Sequence, residues 1–100
     1  MAKTGTSARR VLAVLRALKG HTLHGLSNGE IAKALGETPV NITRALDVLV
    51  DEGFATKLDS GRYGPGMELA QIGVAHLNEL DLAERRINEI RQRTMAGAMG

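Results

Sequence analysis

The sequence predicts a mainly α-helical domain with one small β-hairpin, and four observations predict it. Phe54 and Tyr63 are the only aromatics among 100 residues. Leu and Ala lead the apolar 43% of the chain, which favours small packed helices over a β-sandwich. Three stretches in the first fifty residues repeat apolar side chains at helical spacing, each with helix start or stop residues at its ends. Residues 54–64 read as strand, turn and strand. A chain of this length fits one domain that buries about two-thirds of its unfolded surface, with little room for an enclosed catalytic cleft.

Met1 to Thr6 has no periodic pattern and reads as a flexible arm over residues 1–6. Ser7 is placed to cap a first helix, whose Val11, Val14, Leu15 and Leu18 fall on one stripe, and Gly20 suits its end. After a loop from His21 to Leu26, Ser27 and Glu30 have capping-box spacing. Ile31, Ala32 and Leu35 form the apolar face of this second helix, and Gly36 stops it. Thr38 and Pro39 suit the cap and first turn of a third helix, whose Ile42, Ala45, Leu46 and Leu49 point inward. Asp51-Glu52-Gly53 ends it. Phe54 to Leu58 then reads as a strand, Asp59-Ser60-Gly61 as a turn, and Arg62 to Gly64 as the returning strand. Two short helices joined by a tight turn after a longer one, with a hairpin following, make a winged helix-turn-helix over residues 7–66.

Residues 67–94 read as C-terminal helices for linking and dimerisation. Leu69, Ile72, His76 and Leu80 share one stripe, and Ala83, Ile87, Ile90 and Thr94 another. Asp81 and Glu84 repeat the capping-box spacing, so a break or bend is expected there. Residues 95–100 read as a flexible tail.

Charge is uneven along the chain. Seven Lys and Arg face three acids in residues 1–50, and six face eight in residues 51–100. An anionic partner fits the first half best. The absence of cysteine excludes a disulfide framework and Cys-ligated zinc. No apolar run approaches the ~20 residues of a membrane span and no signal-peptide core follows Met1, so the expectation is a soluble, cytoplasmic protein without a membrane partner.

Three segments resemble the amino-terminal DNA-binding domain of the IclR-type bacterial regulators. They are Arg10 to Leu15, Leu26 to Ala32, and Thr43 to Leu49 continuing through Gly53-Phe54. The most specific likeness is Tyr63, Gly66, Leu69 and Gly73, similar to that family's Tyr-x-x-Gly-x-x-Leu-x-x-x-Gly segment, where the wing ends and the linker helix begins. The resemblance covers about residues 8–92 and implies double-stranded DNA as partner. That family continues into a ligand-binding domain with no counterpart here, so no small-molecule effector is implied. Either the chain is a fragment or it is a stand-alone binder of the kind phages and mobile elements encode, and the second is the expectation.

Helical geometry gives candidate contacts independently. With its apolar stripe inward, the third helix turns Val40, Arg44 and Asp47 outward, with Asn41 and Thr43 on the flanks. Arg44 can read guanine, Asn41 adenine, and Val40 a thymine methyl. Ser27, Asn28 and Thr38 stand at helix starts where N–H groups receive phosphate. Lys57 and Arg62 flank the wing turn, suited to phosphate or the minor groove. Lys3, Arg9 and Arg10 add a basic arm.

Enzymatic function is not expected, because no phosphate loop or nucleophile motif occurs. His21 and His24 have metal-like spacing but no third ligand nearby, so neither metal nor cofactor is expected. One recognition helix reads only a few base pairs, which points to a homodimer on two half-sites. Val11, Leu15, Leu69, Ile72, His76, Leu80, Ile87 and Ile90 supply the surplus apolar surface assigned to its interface. The expected function is a sequence-specific, dimeric DNA-binding protein regulating transcription. The alternatives are a protein-interaction module or antirepressor on the same fold, and an accessory factor in replication or transposition.

Overall fold

The computed structural model describes residues 5–99. Its elements in chain order are α1 (Thr6–Ala17), α2 (Asn28–Leu35), α3 (Pro39–Asp51), β1 (Ala55–Lys57), β2 (Tyr63–Pro65) and α4 (Met67–Met99). Most of the predicted arm lies outside the described residues, but Thr6 is already helical. Gly5, in the left-handed conformation, stands at the α1 N-cap in place of Ser7. The Arg9 N–H donates to the Gly5 carbonyl at 2.8 Å, so the first turn begins ahead of the serine.

Local chemistry fixes the next two helices as expected. Ser27 Oγ accepts from the Glu30 N–H at 3.1 Å while Glu30 Oε1 accepts from the Ser27 N–H at 3.0 Å, a complete capping box. Thr38 Oγ1 accepts from the Asn41 N–H at 3.2 Å, and Pro39 occupies the first turn, where its missing N–H costs nothing. Val14 and Leu18 from the first segment, Ile31 from α2, and Ile42 and Leu46 from α3 are fully buried around one core. Each contributes about 1.5–3 kcal/mol by leaving water. Val11, Leu15, Leu26, Leu35, Phe54 and Tyr63 pack around it, partly buried.

The hairpin pairs Ala55 with Pro65, Thr56 with Gly64 and Lys57 with Tyr63, antiparallel; β1 is one residue shorter at each end than the sequence suggests, and β2 lies one residue later. So small a ribbon is marginal alone. Leu26 reinforces it, exchanging two backbone hydrogen bonds with Tyr63 at 2.8 Å each. The chain then passes so close to its own backbone that a Cβ on Gly66 would collide with the Gly53 carbonyl oxygen and the Ala55 nitrogen. Glycine is required there by space alone.

Two predictions fail in α4. The capping-box spacing at Asp81 and Glu84 makes no break, because helix runs unbroken from Met67 to Met99. Both residues sit among good helix formers, and no glycine or proline interrupts residues 74–96. Residues 95–99 of the predicted tail are likewise helical. The chain divides into two compact units between Ala70 and Gln71. The first holds the whole core; every described residue of the second is exposed.

Candidate nucleic-acid interface

The outward face of α3 is where the sequence predicts readout, and the structure sorts the candidates by what their side chains already hold. Val40 is 60% exposed and Arg44 is exposed, with no hydrogen bond or ion pair to any described residue. Ser27 and Thr38 use their hydroxyl oxygens as helix caps. Lys57 is exposed, with its ammonium 6.0 Å from the centre of the Tyr63 ring.

The remaining candidates are engaged inside the molecule. Asn28 Nδ2 donates to Thr43 Oγ1 at 2.7 Å and to the Pro39 carbonyl at 3.2 Å, while Thr43 Oγ1 donates to the same carbonyl at 3.0 Å. This clamp fastens the start of α2 to the start of α3. The Asn28 side chain is therefore turned toward its own neighbouring helix. Asn41, expected to read adenine, donates from Nδ2 to Glu37 Oε2 at 3.2 Å. Glu37 Oε1 also lies 3.2 Å from Arg10 Nε, which carries the tie across to α1. The hydrogen bond from Asn41, then that from Arg10, holds the Glu37 carboxyl below the usual glutamate range.

Arg62 departs furthest from expectation. Its guanidinium donates from Nε to the His24 carbonyl at 3.0 Å and from Nη2 to the Gly25 carbonyl at 3.1 Å. Nη2 also lies 2.7 Å from Glu30 Oε1. One side chain thus joins the wing, the loop before α2 and the first turn of α2. The same Glu30 closes the capping box, and its carboxyl is held below the usual range first by donation from the Ser27 N–H, then from the Ser27 hydroxyl, and then by Arg62. Gly25 adopts a left-handed φ of +68°, and a Cβ there would come within 2.8 Å of the Tyr63 carbonyl oxygen.

Sequence reasoning misses Glu30 in its second role, and misses Glu37 and Arg10 as partners altogether. Glu37 and Asn41 stand four apart, the spacing of helical neighbours, which is the one local cue to their contact.

The predicted dimer residues divide as well. Val11 and Leu15 are half-buried against their own core. They also line an apolar groove of about 380 Å³ with Leu12, Val48 and Phe54. Leu69 is half-buried, whereas Ile72, His76, Leu80, Ile87 and Ile90 are exposed on α4. His21 and His24 belong to no cluster of three metal-ligating side chains among the described residues. No helix of the described residues is long and apolar enough to cross a membrane.

A three-helix core with a hairpin against it and an exposed third-helix face defines a winged helix-turn-helix. Residues 7–59 match the IclR helix-turn-helix domain, and the chain belongs to that family. Among solved structures it is similar to an IclR family transcriptional regulator from Brucella abortus, with 27% identity and a TM-score of 0.63. That likeness covers 77% of this chain and 32% of the Brucella protein, so the chain spans about a third of its neighbour's length. No curated protein sequence matches the chain.

Proposed function

We propose that the chain is a sequence-specific reader of double-stranded DNA that works as a dimeric transcriptional regulator. Membership of the IclR family and likeness to the Brucella regulator support control of transcription as its setting. The observation that carries the DNA reading is the division of polar groups on α3. Asn28 bonds Thr43 and Asn41 bonds Glu37, setting the helix in place, while Val40 and Arg44 are left facing solvent. A rigid helix presenting one free guanidinium beside a short apolar side chain suits a major groove. Asp47 and Asp51, exposed further along α3, repel phosphate and favour entry by the N-terminal half. Lys57 on the wing supplies a backbone contact. The exposed apolar residues of α4 supply the dimer surface. Such a protein acts where the DNA lies, in the cytoplasm, and uses no catalysis.

Selection from random duplexes followed by salt-dependent shift assays tests this reading. The expected product is a palindromic site whose affinity falls steeply with salt. Arg44→Ala should weaken that site by about 1–3 kcal/mol and leave random DNA nearly unaffected. An equal loss on both would reduce Arg44 to a phosphate contact. A folded protein that binds no duplex at low salt would sink the proposal in favour of a protein-interaction role.

A further inference from the structure

The second unit of the chain carries a heptad-spaced face whose apolar members are Leu80, Ala83, Ile87 and Ile90. On α4, Gly73, Leu80, Ile87 and Thr94 recur every seven residues, and His76, Ala83 and Ile90 follow three after each of the first three. A 3-4 alternation of this kind marks one face of a helix that coils about another. All seven residues are exposed. Nothing within 4 Å of Gly73 explains a glycine there, so no contact inside the chain calls for one.

We infer that this seam pairs with the same seam of a second copy in antiparallel orientation. The inference rests on the dimer reading above and deepens it by fixing the partner's direction. Two independent features decide between orientations. The first is charge beside the seam, where Glu79, Arg86 and Arg93 line one flank and Glu84 and Arg91 the other. In a parallel pair, each flanking residue meets the one five positions later on its neighbour. Glu79 would then face Glu84, and Arg86 would face Arg91, so both contacts repel. In an antiparallel pair the same flank meets itself, and Glu79 of each copy faces Arg86 of the other, twice by symmetry.

The second feature is size. A parallel pair stacks each seam residue on its own copy, so Gly73 meets Gly73 and Ala83 meets Ala83, leaving gaps, while Ile87 meets Ile87. Antiparallel pairing in the register that joins Glu79 to Arg86 sets Leu80 against Ala83 and Gly73 against Ile90. Large then meets small in these layers, as close packing requires.

Sedimentation of the full chain over a concentration series tests the orientation. Arg86→Glu places two glutamates face to face in the antiparallel pair and should weaken dimerisation about tenfold, with Glu79→Arg doing the same. Combining the two substitutions restores the attraction and should recover wild-type association. In a parallel pair each single reversal creates attraction, so tighter dimers from Arg86→Glu would overturn the inference while leaving the dimer reading intact. A dimer insensitive to all three variants would overturn it too, placing the interface elsewhere. A wild-type chain that stays monomeric at every concentration overturns both. The chain has no cysteine, so oxidative cross-linking provides a second readout. A mixture of Gly73→Cys and Ile90→Cys should cross-link where neither alone does, and self-cross-linking of Gly73→Cys would establish the parallel pair instead.

Discussion

The two halves of this chain use helix in opposite ways. Up to Ala70, three short helices each bury an apolar stripe in a shared core, and the polar side chains between them are tied by specific bonds. From Gln71 to Met99, every residue of α4 is exposed. Helix propensity is comparable in both, so propensity cannot account for the difference. Burial does: the first half is stabilised by its own contacts, and the second presents a surface whose apolar residues gain only when another molecule covers them.

The sharpest break of this comparison pairs a truncation in each half. Leu46→Ala removes a fully buried side chain and should cost about 2–5 kcal/mol in denaturant unfolding. Ile87→Ala, on a side chain 52% exposed, should leave the unfolding of dilute protein unchanged and weaken self-association. Equal losses from both would mean that the two halves unfold as one cooperative body.

A smaller effect separates two cations of the wing. Arg62→Ala removes bonds to two backbone carbonyls and Glu30, and should destabilise the domain by about 1 kcal/mol, allowing for a side chain 37% exposed. Because its guanidinium faces inward, DNA affinity should fall while the dependence on salt keeps its slope. Lys57→Ala should do the reverse, leaving stability alone and reducing the slope by about one ion. A reduced slope from Arg62→Ala would return that residue to the phosphate contacts.

The smallest effect is acid sensitivity. Glu30 and Glu37 both titrate below the usual glutamate range in the folded protein. The stability they contribute is therefore complete at neutral pH and is lost as pH falls through the unfolded and then the native value. Thermal unfolding followed down the acid range should show the wild type losing more than a Glu30→Gln, Glu37→Gln variant. Parallel decline in both proteins would assign acid sensitivity to other carboxylates.

What is legible in the sequence follows the separation of the partners. Ser27 with Glu30, and Thr38 with Pro39, are readable because their chemistry closes within three residues. The four inward residues of α3 are readable from period alone, and all four are buried. Asn28 and Arg62 look like DNA contacts in the sequence because each is a polar residue at a suggestive place. Their side-chain partners within the chain lie 11 and 15 residues away for Asn28, and 37 and 38 for the backbone acceptors of Arg62. No local pattern encodes such pairings; those of Asn28 exist only once α2 packs on α3, and those of Arg62 only once the hairpin folds against the loop before α2. The failed break at Asp81 teaches the converse, since a capping pattern stops nothing where the surrounding residues all favour helix.

Gly66 sets a rule for anyone recombining this domain. The backbone leaves the wing through a gap with no room for a methyl group, and the Glu68 N–H then bonds the Gly53 carbonyl at 2.9 Å. A chimera carrying a foreign helix must therefore keep the native chain through Glu68 and can change donors only beyond Ala70. Cut earlier, the graft loses the peptide that closes the head; cut later, it exchanges one exposed helix for another and leaves the core of the head untouched.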